Sequence, residues 1–261
     1  MSSLLNTFLV VISAYVYVSL ARQISARSPQ IGAPALKLFG FAEAIVAALV
    51  VCWFLLVLVL SSPSSHSEIR NRDLAATALF SIGFLLLLVM FLRLRGFNVD
   101  VLAGFSRIGF GRVIGTGTLL LLAAYPLIVL ADAITQRFLG SGSSRQEIVD
   151  LFNGSQTMEQ RVGIILLAVA IAPIAEEFIF RFFLYGVLKR YVGRVLGLVL
   201  SSLLFAAVHR HLPSFGPLFV LGSCFTIAYE WSGSILVSMT MHALFNSLTL
   251  TALAFPQTLP Q

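Results

Sequence analysis

The sequence predicts an all-α polytopic membrane protein with about eight transmembrane helices, the last four forming the functional bundle. Three observations carry that prediction. Of 261 residues, 58% are hydrophobic, and the mean hydropathy is +0.96. Charged residues make up 11%, against roughly 25% in a soluble domain, too few to coat a soluble globule of this length. The apolar residues also form runs close to the about 20 residues that cross a bilayer core. Together these exclude a disordered chain, a solenoid of charged repeats and a secreted disulfide scaffold. The net charge of +6 is not a nucleic-acid signal, because the 17 Lys and Arg are scattered through short loops. No nucleic-acid partner is expected, and the excess reads as topology.

The spans follow in order: Leu4–Leu20, Phe41–Leu60, Leu74–Leu92, Val113–Ala131, Val162–Leu188, Val195–Val208, Gly216–Tyr229 and Gly233–Phe255. The first is read as retained, because no Lys or Arg precedes its apolar run as a cleaved signal peptide requires. The sixth and seventh are short. Either they borrow flanking residues or they stop short of one face. Cys52 and Cys224 both sit in apolar runs and act as small apolar fillers. No internal repeat is present.

Alternate loops set the orientation. Arg22, Arg27, Lys37, Arg93, Arg95, Arg107, Arg112, Lys189, Arg190 and Arg194 fall on one side, ten in all. Arg70, Arg72, Arg137, Arg145, Arg161 and Arg210, six in all, fall on the other. The richer side is expected to be cytoplasmic, with both termini outside. Arg181 belongs to neither side, being inside span five.

Residues 1–131 read as an N-terminal four-helix transmembrane region and 132–161 as an extramembrane loop. Within that loop Ser144-Arg145-Gln146-Glu147 resembles a capping box ahead of Ile148, Val149, Leu151 and Phe152, with Asn153-Gly154 as a stop. This predicts a short helix on the membrane surface. Thr157-Met158-Glu159-Gln160 is a second capping box, opening span five. Residues 162–255 form the core that carries the polar motifs, and 256–261 a tail.

A charged residue at the bilayer centre costs at least about 2.5–3.5 kcal/mol on insertion scales, so each one needs a reason. In this chain they concentrate in the last 100 residues. Span five holds Glu176, Glu177 and Arg181, span six ends at His209, and span eight holds His242 and Asn246. Glu177 and Arg181 are four apart, share a helix face and can pair. That leaves Glu176 unpaired. His242 and Asn246 share a face by the same spacing. Pro173, one turn before Glu176, removes a backbone hydrogen bond and kinks the helix, leaving room for water.

Depth gives an independent check, at about 1.5 Å of rise per residue. Glu176 precedes Lys189 by 13 residues, His209 follows Arg194 by 15, and His242 follows Glu230 by 12. All three therefore lie about 18–22 Å from the same side, which predicts one site shared by spans five, six and eight. A carboxylate and an imidazole beside water suit general acid–base chemistry. A second imidazole and an Asn amide suit hydrogen bonding to an oxyanion. No Ser-His-Asp set and no H-E-x-x-H motif occurs.

Glu-Glu-x-x-x-Arg at 176–181, Phe-x-x-x-His at 205–209 and His-x-x-x-Asn at 242–246 stand in this order on spans five, six and eight. The pattern, with the flanking APIAEEFIFR and GSILVSMTMHALFN, resembles the CAAX protease and bacteriocin-processing family of intramembrane proteases. That family includes the type II CAAX prenyl endopeptidases. The resemblance covers about Val162 to Thr251. It implies hydrolysis of a peptide bond within the membrane, with Glu176 and His209 activating water. It further implies that His242 and Asn246 stabilise the oxyanion and that Glu177 and Arg181 organise the site. One departure is Glu230-Trp231-Ser232-Gly233, where the family pattern leads one to expect Arg or Lys, Thr and Gly.

The expected protein is thus an intramembrane endopeptidase in a cell membrane of bacterial type. Its partners are the lipid bilayer and a membrane-associated peptide or protein substrate, a peptide pheromone or bacteriocin precursor rather than a prenylated protein. No cofactor is favoured. The metal alternative is zinc held by Glu176, His209 and His242. The alternative function is a non-catalytic membrane scaffold, or an immunity or regulatory protein of the same family. A transporter fits less well, because no matching interrupted helices occur in the first half.

Overall fold

The computed structural model describes residues 2–27, 37–60, 71–139, 152, 154–155 and 157–254. Every long element follows an apolar run: α1 Ser2–Ala26, α2 Phe41–Leu60, α3 Asn71–Leu94 and α5 Phe110–Leu139. Between α3 and α5 lies the short α4, Val99–Ala103. The second half contains α6 Met158–Val192, α7 Arg194–Val208, α8 Phe215–Ser232 and α9 Ile235–Ala254. Among the described residues seven helices are long and apolar enough to cross a membrane, and α7 is a shorter apolar one. The protein is an all-α, multi-pass membrane protein.

The two short spans behave differently. The seventh borrows flanking residues and extends over Leu212–Ser232. The sixth stays short and ends as a helix at Val208, with His209 as its C-cap. Backbone reversal follows at once, because Arg210 takes a left-handed conformation with φ 53°. Helix α5 runs past the expected end at Ala131, since nothing in Asp132–Leu139 breaks a helix before Gly140. The surface helix expected around Ser144–Phe152 falls almost wholly outside the described residues. The Thr157 capping box forms as read, with both reciprocal bonds to Gln160 in place.

Helix α5 packs against α1, α8 and α9, while α6 packs against α3, α7 and α9. The core between them is aromatic: Phe178, Phe180, Phe182, Phe183, Phe205 and Phe225 are all buried. At one end of the bundle the loops of the Arg- and Lys-rich side gather. Glu230 accepts from Arg194 Nε at 2.8 Å and also from Lys189 and Tyr185. Arg27 reaches the Glu230 carbonyl at 3.3 Å. The departure from the family pattern at this position is therefore a charge hub tying α1, α6, α7 and α8 together. Gly233 closes α8 with φ 68°, and a side chain there would meet the Arg107 guanidinium. Glu43, near the start of α2, is buried and paired with Arg95 at 2.9 Å.

Candidate active site

Helix α6 is not a uniform α-helix. Two π-helical stretches, Leu167–Ile171 and Phe178–Leu184, flank the α-helical turn Ala172–Glu177. Single π turns inside α-helices concentrate at functional sites, and here they bracket Pro173, Glu176 and Glu177. The sequence showed that Pro173 would disturb the helix but gave no signal for π geometry.

Glu177 and Arg181 meet as expected. Arg181 Nη1 is 3.1 Å from Glu177 Oε1, with both side chains buried. The contact is an ion pair without hydrogen-bond alignment. The remaining support for the cation is aromatic: its guanidinium carbon lies 4.0 Å from the Phe205 ring centre and 5.1 Å from that of Phe225. Desolvated cation–π contacts of this kind reach about 2 kcal/mol. Gly222 makes room, since a Cβ there would press on Phe205 and Arg181 at 3.1 and 3.2 Å.

Glu177 has a second partner that the spacing did not reveal. Its Oε1 lies 2.9 Å from His242 Nδ1. A carboxylate in an ion pair accepts, so Nδ1 carries the proton and Nε2 is left facing away from Glu177. His209 is fixed in the same sense, because its Nδ1 is 2.7 Å from the Phe205 carbonyl, which can only accept. Phe205 thus supplies a backbone acceptor to His209. Its ring also packs against both imidazoles, at 4.8 Å from His209 and 5.9 Å from His242. Phe225 stacks on His242 at 5.1 Å.

The two free Nε2 atoms converge on Glu176. Its Oε2 is 3.8 Å from His242 Nε2 and 4.0 Å from His209 Nε2. These separations are too long for direct hydrogen bonds, and Oε2 is buried with no hydrogen-bond partner in the protein. Three lone-pair-bearing atoms therefore face one another at a cavity of about 400 Å³ lined by Glu176, His209, His242 and Asn246. Asn246 is half-buried, and its amide nitrogen donates to the Ala168 carbonyl at 2.8 Å. A second cavity of about 470 Å³ also opens onto Glu176, lined by Trp53, Phe54, Phe80 and Phe84 of α2 and α3. The first four spans carry no recognised motif, yet two of them wall the site.

Glu176, His209 and His242 offer donors of the right type for zinc. Among the described residues, however, no three His, Cys, Asp or Glu side chains form a ready-made metal centre. His211 bonds Ser214 Oγ at 2.8 Å outside this cluster.

A multi-pass helical bundle with a Glu-His-His cluster at membrane depth defines the class, and similarity to known proteins narrows it. Residues 158–248 match the model of a family described as type II CAAX prenyl endopeptidase Rce1-like. Part of the chain is 32% identical over 82 residues to the membrane-embedded CAAX protease MroQ of Staphylococcus aureus. That alignment covers 29% of this chain and 33% of the relative, so the match spans about a third of the relative's length. No solved structure matches. Residues 158–248 are thus similar to proteins of CAAX protease type.

Proposed function

We propose that the protein is an intramembrane endopeptidase that hydrolyses a peptide bond with water activated by Glu176 and His209. The observation that carries this reading is the convergence of Glu176 Oε2 with the two imidazole Nε2 atoms, each ring held by an acceptor on its Nδ1. A pocket rich in lone pairs holds water through its hydrogens and leaves the water oxygen free to attack. Glu176 takes a proton as that oxygen adds to the substrate carbonyl. The proton passes through an imidazole Nε2 to the departing amine nitrogen, the carbon–nitrogen bond breaks, and a carboxylate and an amine result.

His242 and Asn246 serve the oxyanion. Once His242 holds a proton on Nε2 it becomes a donor, with Glu177 steadying the imidazolium through Nδ1. One amide hydrogen of Asn246 is engaged on Ala168, and the second remains for the oxyanion. Donors of this kind count for more in a site shielded from water. Zinc, held by Glu176, His209 and His242, would polarise a bound water or carbonyl in the same place. The metal-free route needs no rearrangement of the three side chains.

The aromatic cavity beside Glu176 suits a membrane-associated peptide or protein whose apolar residues enter between α2 and α3. A reporter-peptide screen on purified protein in detergent tests the function. Cleavage lost in Glu176→Gln with unchanged expression supports it. A Glu176→Gln protein that supports every wild-type phenotype fits a non-catalytic scaffold instead.

A further inference from the structure

Inside a bilayer each backbone carbonyl must find its partner within the protein. Along the first π stretch of α6 the amide of Ala172 bonds back five residues to the Leu167 carbonyl. The amide that continues this pattern onto the Ala168 carbonyl is that of residue 173. Residue 173 is proline and has no N–H. Ala168 is buried and lines the same cavity as Asn246. The atom that reaches its carbonyl is Asn246 Nδ2, at 2.8 Å, from a helix 78 residues further along the chain.

We infer that Asn246 is a positioning residue whose amide stands in for the missing N–H of Pro173. The bond joins two parts of the site. Ala168 sits just before the turn Ala172–Glu177, which holds both Pro173 and Glu176, and Asn246 sits one turn after His242 on α9. Pairing them fixes the depth and rotation of the Glu176 turn against the helix that holds His242. A buried carbonyl left without its donor is destabilising, so the bond also stabilises the π geometry of α6. The inference uses the proposed function only in taking Glu176 as the base.

The test is a double-mutant cycle, since Pro173→Ala returns an amide to residue 173. Thermal unfolding midpoints in detergent would be measured for wild type, Asn246→Leu, Pro173→Ala and the double variant. Hydrogen exchange of the backbone over residues 172–177 and nitrogen NMR of the His209 and His242 rings would be followed in the same set. Asn246→Leu is expected to lower the midpoint, speed exchange in the turn and shift the ring signals. In the Pro173→Ala background the same substitution should lose less than half as much, with slow exchange and the ring signals restored. Equal losses in both backgrounds would overturn the inference and show that Asn246 only packs or only meets substrate. If Asn246→Leu does not fold, Asn246→Ser in both backgrounds makes the same comparison. None of these readouts needs turnover, so a protein that cleaves no peptide leaves the test intact.

Discussion

Glu177 Oε1 accepts from His242 Nδ1 at 2.9 Å, across 65 residues of chain. The same oxygen meets Arg181 at 3.1 Å. One buried carboxylate thus neutralises a buried cation and decides which imidazole nitrogen faces Glu176. Under the proposed function, the second Glu of the motif acts through His242 without touching the reacting atoms.

The first expectation follows from that shared oxygen. Removing Arg181 leaves Glu177 buried and uncompensated, and breaking a buried pair costs about 3–5 kcal/mol. Arg181→Ala should lower the unfolding midpoint and the yield. Glu177→Gln combined with Arg181→Met should recover part of the loss, since Gln keeps an acceptor for His242 Nδ1. A double variant no more stable than Arg181→Ala would show that the charge pair is not what holds the core.

Glu176→Gln and His209→Ala should each cut turnover by on the order of 10²–10⁴, the usual reach of acid–base catalysis. Both should fold, because Glu176 makes only long contacts to the two imidazoles and His209 is anchored by a single bond to the Phe205 carbonyl. Steady-state rates on a cleaved reporter peptide, with melting curves alongside, check this. Near-wild-type rates in either variant would remove that residue from the mechanism.

Much of this was legible in the chain before its structure. The apolar run lengths place the spans, because crossing a bilayer forces about 20 apolar residues in a row. The shared depth of Glu176, His209 and His242 could be counted, because helical rise is nearly constant. The i to i+4 spacing gave Glu177 and Arg181 as a pair. What could not be read were contacts set by helix rotation and approach. Nothing local marks Glu177 as the partner of His242, or Ala168 as that of Asn246. The burial of Glu43 depends on where Arg95 returns, which lies two helices away. The hub at Glu230 looked like a departure from a pattern until the ends of α1, α6, α7 and α8 were seen to meet there.

That hub gives a further expectation. Glu230→Ala removes the shared acceptor of Tyr185, Lys189 and Arg194. Hydrogen bonds to charged groups contribute about 1.5–3 kcal/mol, discounted here because Lys189 and Arg194 are 40% and 39% exposed. A stability loss of about 1–3 kcal/mol is expected, with kcat of the surviving protein unchanged. Denaturation curves and rates on one preparation check it. An unmoved midpoint would mean the hub contributes nothing.

Zinc content separates the two chemistries open to this donor set. On the metal-free reading His242→Gln keeps some donor capacity and lowers the rate by about 10²–10³, and strong chelator leaves the wild type active. Stoichiometric zinc in the wild type, absent in His242→Gln, with activity restored by added zinc after chelation, would replace the metal-free reading.

The most direct measurement of the central claim is hydrolysis in heavy-oxygen water by purified protein in proteoliposomes, read by mass spectrometry of the products. Wild-type protein is expected to cleave a membrane-associated peptide and place heavy oxygen in the new C-terminal carboxylate, while Glu176→Gln yields no labelled product. Equal labelled cleavage by Glu176→Gln would contradict the account.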